Sequence, residues 1–223
     1  AFNKQMPAPL PAQARQGGRA GAQNRGLDGQ IRRPCAALLE DRHGNLWAGA
    51  RSGLVRLGAE GVRLFAAEEH LFEGAIRALA ESPDGHIWVG PNAGLFRLEG
   101  AEFQQYSIPQ EPYLQGILAL YSDRSGALWI GTDLAGLLRL RAGRFDQWRS
   151  AADGLPSDHI TAILEDDQAN LWISSENGIF SCPKEALDRY QRGVTARLQP
   201  TRLTMAEGLV HKVCSGVAPP AAC

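Results

Sequence analysis

Four tryptophans set the scale of this chain. The stretches "NLWAGARSGLVRL" from Asn45, "HIWVGPNAGLFRL" from His86, "ALWIGTDLAGLLRL" from Ala127 and "NLWISSENGIFSC" from Asn170 vary one phrase. Their anchors Trp47, Trp88, Trp129 and Trp172 follow one another at 41, 41 and 43 residues. A period of that length marks one supersecondary unit, copied, with each copy completing its core against the next.

The unit can be read position by position. Glycine returns at Gly53, Gly94, Gly136 and Gly178, each followed by Leu or Ile, and predicts a tight turn between two strands. Upstream, Asp41, Asp123 and Asp166 stand six residues before their tryptophans, and Gly44, Gly85 and Gly126 stand three before. These are hairpin residues: Asp closes a turn on its own backbone and glycine takes positive φ. The fourth copy has Ala169 in place of the glycine, which predicts a differently built turn with Asn170 in the left-handed region. Downstream, Val62 and Phe65 recur as Phe103 and Tyr106, then as Phe145 and Trp148. Each unit therefore contains four short antiparallel strands. The fold expected is all-β, four propeller blades centred on Trp47, Trp88, Trp129 and Trp172, with those tryptophans buried between sheets.

The pattern breaks in three places. "DGL" at Asp153 and "EGL" at Glu207 are 54 residues apart, longer than a period, and the excess falls in "PKEALDRYQRG". A proline start, good helix formers and a glycine stop predict a short inserted helix over 183–192. A fifth unit is expected to begin over 207–223 with its tryptophan due at about position 226, so the ring is expected to be incomplete over 27–223. Residues 1–26, rich in Ala, Gln, Gly, Arg and Pro and without a period, are expected to be a disordered basic leader.

Composition removes other classes. Hydrophobic residues make up 44% of 223 residues and the formal charge is −1, which argues for an ordered domain and against a general attraction to nucleic acid or an anionic membrane. The sequence has no apolar run of about 18 residues, so any membrane attachment is expected through segments outside it. Cys35, Cys182, Cys214 and Cys223 share no repeat position and form no CxxC pair, so they suggest no zinc site.

With "LLEDRHGNLWAGARSGLVRL", "LYSDRSGALWIGTDLAGLLRL" and "DGLPSDHITAILEDDQANLWISSENGIF" read out, residues 26 to 223 resemble the two-component regulator propeller repeats. That family forms the extracytoplasmic sensor regions of hybrid histidine kinases and of some diguanylate cyclases. The resemblance implies a non-catalytic sensor on the periplasmic side of the inner membrane, which pairs through the full-length receptor and signals through a separate output domain. Ala169, Pro91 and the number of blades depart from the family pattern.

Little in the sequence suggests catalysis. His43 and His86 fall in turns and His70 and His211 in loops, without metal-ligand spacing. "LPSDHI" sets Ser157, Asp158 and His159 side by side, whereas a catalytic triad is assembled from separate parts of a chain. The turn aspartates lack the alternating carboxylates and distant Glu of a calcium loop. No metal and no cofactor is expected. Candidate ligand-binding residues are Arg51, Asn92, Asp133 and Glu176, chemically different side chains at equivalent turn positions, together with His159 of the "LPSDH" loop; all are expected at one end of the blades. The expected ligand is a small molecule or a saccharide. The alternatives are a lyase-type propeller enzyme, similar to those acting on cyclic peptide antibiotics and requiring a His and an acid converging at that end, or a protein-interaction scaffold.

Overall fold

The computed structural model describes residues 35–51, 53–66, 74–100, 102–108 and 116–203. The expected leader over 1–26 and the fifth unit over 207–223 lie outside the described residues. Among the described residues, sixteen strands form four antiparallel four-stranded sheets, each in sequence order. Blade 1 holds β1 (Cys35–Glu40), β2 (Leu46–Ala50), β3 (Gly53–Gly58) and β4 (Gly61–Ala66). Blade 2 holds β5 (Ala78–Glu81), β6 (Ile87–Gly90), β7 (Leu95–Glu99) and β8 (Glu102–Tyr106). Blade 3 holds β9 (Ile117–Ser122), β10 (Leu128–Thr132), β11 (Leu137–Arg141) and β12 (Arg144–Trp148). Blade 4 holds β13 (Ile160–Glu165), β14 (Asn170–Ser175), β15 (Gly178–Pro183) and β16 (Thr201–Leu203). The first strands β1, β5, β9 and β13 abut one another in turn, so they are the inner strands. A one-turn helix α1 (Ser150–Asp153) precedes blade 4, and α2 (Lys184–Gln191) lies within it, where the sequence predicts an insertion.

The tryptophans all point one way along the array. Trp47 packs among Ile87, Val89 and Phe96 of blade 2, Trp88 among Leu128, Ile130 and Leu138 of blade 3, and Trp129 among Leu171, Ile173 and Phe180 of blade 4. All three are buried. The expectation fails for Trp172, which is only half-buried: no described strand packs on it as a following blade. The far side of blade 1 is likewise open, with Leu38, Leu46, Leu57 and Val62 exposed.

A second contact locks each junction. The glycine two residues after each of the first three tryptophans leaves a hole for the isoleucine that opens the next blade. A Cβ on Gly49 would lie 2.6 Å from Ile76 Cγ2, one on Gly90 2.5 Å from Ile117 Cγ2, and one on Gly131 2.7 Å from Ile160 Cγ2. All three isoleucines are fully buried, so any larger residue would force the blades apart. In blade 4 the same position is Ser174, whose hydroxyl pairs with Thr161 Oγ1 at 2.6 Å.

The turn aspartates do more than shape a hairpin. Asp41, Asp123 and Asp166 accept the indole N–H of Trp47, Trp129 and Trp172 at 2.8, 3.0 and 2.8 Å while holding backbone amides of the turn. In blade 2 the hydroxyl of Ser82 takes this place at 3.2 Å from Trp88 Nε1. The fourth turn corrects an expectation: Ala169 itself, and not Asn170, occupies the left-handed region at φ 61°. Its amide donates to Asp166 O as that of Gly126 does to Asp123 O, so the ladder demands this conformation whatever residue sits there.

Each "GL-x-R" motif places an arginine directly across the strand pair from its tryptophan: Trp47 opposite Arg56, Trp88 opposite Arg97, Trp129 opposite Arg139. Their guanidinium carbons lie 6.0, 5.5 and 5.1 Å from the respective ring centroids, within cation–π range. In blade 4 the partner is Ser181.

Candidate functional site

In every blade the second strand turns into the third at one end, the end at which the connection from the outer strand also arrives, because alternate connections of an antiparallel sheet emerge together. Arg51, Asn92, Asp133 and Glu176 all stand in those second-to-third turns, and His159 immediately precedes the inner strand β13. The structure brings four of the five into one continuous rim.

Glycine backbone makes the first link. Gly116 donates its amide to Asn92 O at 2.6 Å, and Asp133 donates its amide to Gly116 O at 2.8 Å. A Cβ on Gly116 would stand 2.8 Å from Asp133 Cβ, so only glycine lets the connection thread between these turns. Gly74 is pressed against Asn92 in the same way, with its own Cβ position 2.6 Å from Asn92 Cβ. The next link uses side chains: His159 Nδ1 lies 2.6 Å from Asp133 Oδ1, joining blades 3 and 4. Ser157 Oγ donates to Glu176 Oε1 at 3.1 Å and accepts the amide of His159 at 3.0 Å. Asn177 Nδ2 donates to Pro156 O. Arg51 is exposed and has no side-chain contact with the other four among the described residues.

The neighbours Ser157, Asp158 and His159 part toward three different partners. Asp158 accepts from the amide and hydroxyl of Ser150, at the start of α1, at 2.7 and 2.8 Å. Ser157 faces Glu176 and His159 faces Asp133. They do not form a triad. The His159–Asp133 pair has chemical capacity of its own: a carboxylate on Nδ1 fixes the ring and leaves Nε2 to bind or to exchange a proton. The His159 and Asp133 side chains keep 33% and 48% of their surface exposed, so the pair is open to solutes.

Charge is handled differently at the opposite end. Arg42 clamps blade 1 to blade 2 through Glu81 Oε1 at 2.6 Å and the carbonyls of Ser82 and Pro83. Lys184, at the start of α2, bridges Asp123 Oδ2 at 3.0 Å and Glu165 Oε1 at 2.5 Å. Burial raises the Asp123 carboxyl pKa, but hydrogen bonds from Ser125, Trp129, Lys184 and the Ala127 amide outweigh it and bring it down to about 2. Burial raises the Cys182 thiol to about 11. These groups are structural. Among the described residues no three His, Cys, Asp or Glu side chains are grouped to hold a metal ion, and no helix is long and apolar enough to cross a membrane.

Sequence reasoning places the rim residues at one end but does not find the His159–Asp133 pair, since the two stand 26 positions apart and meet only through the path of the segment from Arg149 to His159 after β12. It also misses the stacked arginines, although their recurrence in "GLVRL", "GLFRL" and "GLLRL" is a usable sign.

Residues 154–177 match the family model described as Two component regulator propeller. Curated protein sequences give no match to the chain. Among solved structures, the chain is similar to two extracellular domains from B. thetaiotaomicron assigned to putative hybrid two component systems. One has 18% identity and a TM-score of 0.65 over 82% of this chain and 24% of that one; the other has 16% and 0.60 over 70% and 21%. The chain thus spans about a quarter or less of those domains' length. It is also similar to a streptogramin B lyase, with 16% identity and a TM-score of 0.56 over 76% of this chain and 55% of that one. These likenesses show the propeller fold.

Proposed function

We propose that these blades are part of the non-catalytic sensor region of a bacterial signal-transduction receptor, outside the cytoplasm, and that the Asn92–Asp133–His159–Glu176 rim contacts a polar small molecule or saccharide. The carrying observation is the contrast between a repeated scaffold and a varied rim. Trp, Gly, Asp and Arg positions recur from blade to blade, while the residues joined at the open end are an amide, two carboxylates and an imidazole. Such a rim supplies both donors and acceptors, as sugar hydroxyls require. The two component regulator propeller match and the sensor-domain likenesses support the signalling context. Ligand binding would act by favouring one arrangement of paired receptors.

The test is a double substitution, Asp133→Ala with Glu176→Ala, in the complete receptor, read by transcription of its target genes during growth on a panel of oligosaccharides. Induction should be lost while receptor abundance is kept. Full induction in that variant would move recognition away from this rim.

One observation favours a second reading. His159 on Asp133 is a base held by a carboxylate across two blades, the arrangement a lyase-type propeller enzyme needs. Incubating the chain with a streptogramin B antibiotic and following products by mass spectrometry separates the two: turnover abolished by His159→Gln supports the enzyme, and unchanged antibiotic supports the sensor.

A further inference from the structure

At the outer edge of blade 3, on the end away from the rim, the turn between β11 and β12 and the helix α2 enclose a cleft of about 610 Å³, in the size range of small-ligand sites. Its lining is Arg139, Arg141, Arg144, Asp146, Asp188 and Arg192 with small and amide neighbours. The arginines do not all have the same task. Arg139 is buried and fully engaged: Nε and Nη2 donate to Asp146 Oδ2 at 3.1 and 2.6 Å, and Nη1 donates to Asp188 Oδ1 at 2.6 Å. Its guanidinium lies against the stacked Trp129 and Trp148, 5.1 and 5.2 Å from their centroids. Both carboxylates of the cleft thus pair most closely with Arg139.

Three guanidiniums remain. Arg141 reaches Asp188 only at 3.7 Å. Arg192 donates to the carbonyl of Asp188 at 3.3 Å and has no carboxylate partner among the described residues. Arg144 has no ion pair there at all. Arg141 and Arg144 are also directly opposite each other in the strand register, where like charges repel. Blade 2 relieves the equivalent opposition of Glu99 and Glu102 by pairing Glu99 with Arg97, a neutralisation that Arg139 cannot give. Four arginines against two aspartates leave the cleft with a formal charge of +2.

We propose that this cleft binds a tetrahedral oxyanion, the phosphoryl or sulfuryl group of a soluble ligand. Guanidinium forks match such groups through paired N–H donors, and three forks from two elements suit a group with three free oxygens better than a planar carboxylate with two. Arg139 and its aspartates form the floor; Arg141, Arg144 and Arg192 supply the contacts. Because Arg192 caps the C-terminal end of the inserted helix and the other two belong to blade 3, the anion would tie that helix end to the blade.

The test is calorimetric titration of the chain at constant ionic strength with inorganic pyrophosphate and, separately, inorganic sulfate. Arg144→Gln and Arg192→Gln, singly and together, are compared with Arg202→Gln, an exposed arginine outside the cleft, and melting temperatures check that all variants fold. Saturable one-to-one binding of either anion is expected, weakened roughly tenfold or more by each cleft substitution, as for loss of a charge-assisted hydrogen bond, and untouched by Arg202→Gln. The anion that binds more tightly identifies the phosphoryl or sulfuryl source. No saturable binding of either, or equal weakening by Arg202→Gln, overturns the proposal.

Discussion

The turn at Ala169 offers a measurement in which a single methyl group is the variable. Its hydrogen bonds match those of the turn at Gly126: Asp166 Oδ1 accepts the amides of Gln168 and Asn170 at 2.9 Å each, as Asp123 Oδ1 accepts those of Ser125 and Ala127 at 2.9 and 3.0 Å. Gly126 sits at φ 83° with nothing within 4 Å of the point where a Cβ would stand, and Ala169 sits at φ 61° and is exposed. Packing therefore cancels and only the backbone contribution differs. An L-residue in the left-handed region costs about 1–2 kcal/mol, of which the stiffer unfolded chain returns about 0.4–1 kcal/mol. Ala169→Gly should stabilise the protein by about 0.5–1 kcal/mol, and Gly126→Ala should destabilise it by a similar amount. The bond from the Lys184 amide to Ala169 O at 3.1 Å is backbone and survives either change. Urea unfolding followed by tryptophan fluorescence reads the effect as opposite shifts of the midpoint at unchanged slope. A lower midpoint for Ala169→Gly would refute the account of this turn.

Other consequences can be checked in the same way. Trp129→Ala should cost about 3–5 kcal/mol, because the ring is fully buried and stacks on Trp148 at 5.7 Å; a loss under about 0.5 kcal/mol in urea would show that it is not core. The Asp123 carboxyl is held at about 2 when folded against 3.8 unfolded, so the stability it contributes, on the order of 2 kcal/mol, is present above about pH 4 and drains away as pH falls toward 2. Asp123→Asn should flatten the acid limb of the midpoint-against-pH curve, and an unchanged limb would contradict this assignment. Cys182, buried with its thiol raised to about 11, should resist iodoacetamide near neutral pH while exposed Cys35 is labelled; peptide mapping that finds both alkylated in the native protein would show that blade 4 opens.

How far the sequence can be read follows from how local each signal is. The blade pattern is legible because tryptophan, glycine and aspartate act within a single hairpin, and the register then follows from the period. The burial of Trp172 is misjudged because a tryptophan's cover comes from the next unit, not its own. The clue is present in "WIS", where the earlier copies read "WAG", "WVG" and "WIG": Ser174 fills the hole that Gly49, Gly90 and Gly131 leave open. The rim positions are legible by topology, whereas the His159–Asp133 pair is not, since it depends on how the irregular segment from Arg149 to His159 settles around Asp158 and Ser150. Arg139 lies in plain view within a repeated motif, but its second partner, Asp188, comes from the inserted helix.

The clamp from Arg42 to Glu81 has a mechanical consequence. Stability in a row of like units is a chain of nearest-neighbour couplings, and the row yields first at its weakest coupling. Arg42 fastens the first junction, while Lys184 and the Arg139–Asp188 pair tie blade 3 to the helix and strands of blade 4. The residue of blade 2 that corresponds to Arg42 is Pro83, which has no charge and no side-chain donor to reach forward with, so among the described residues the second junction rests on the Ile117 knob, the Trp88 face and the backbone bonds through Gly116, with no charged clamp. Under load or partial denaturation the array should therefore part first between β8 and β9, at the junction of blades 2 and 3.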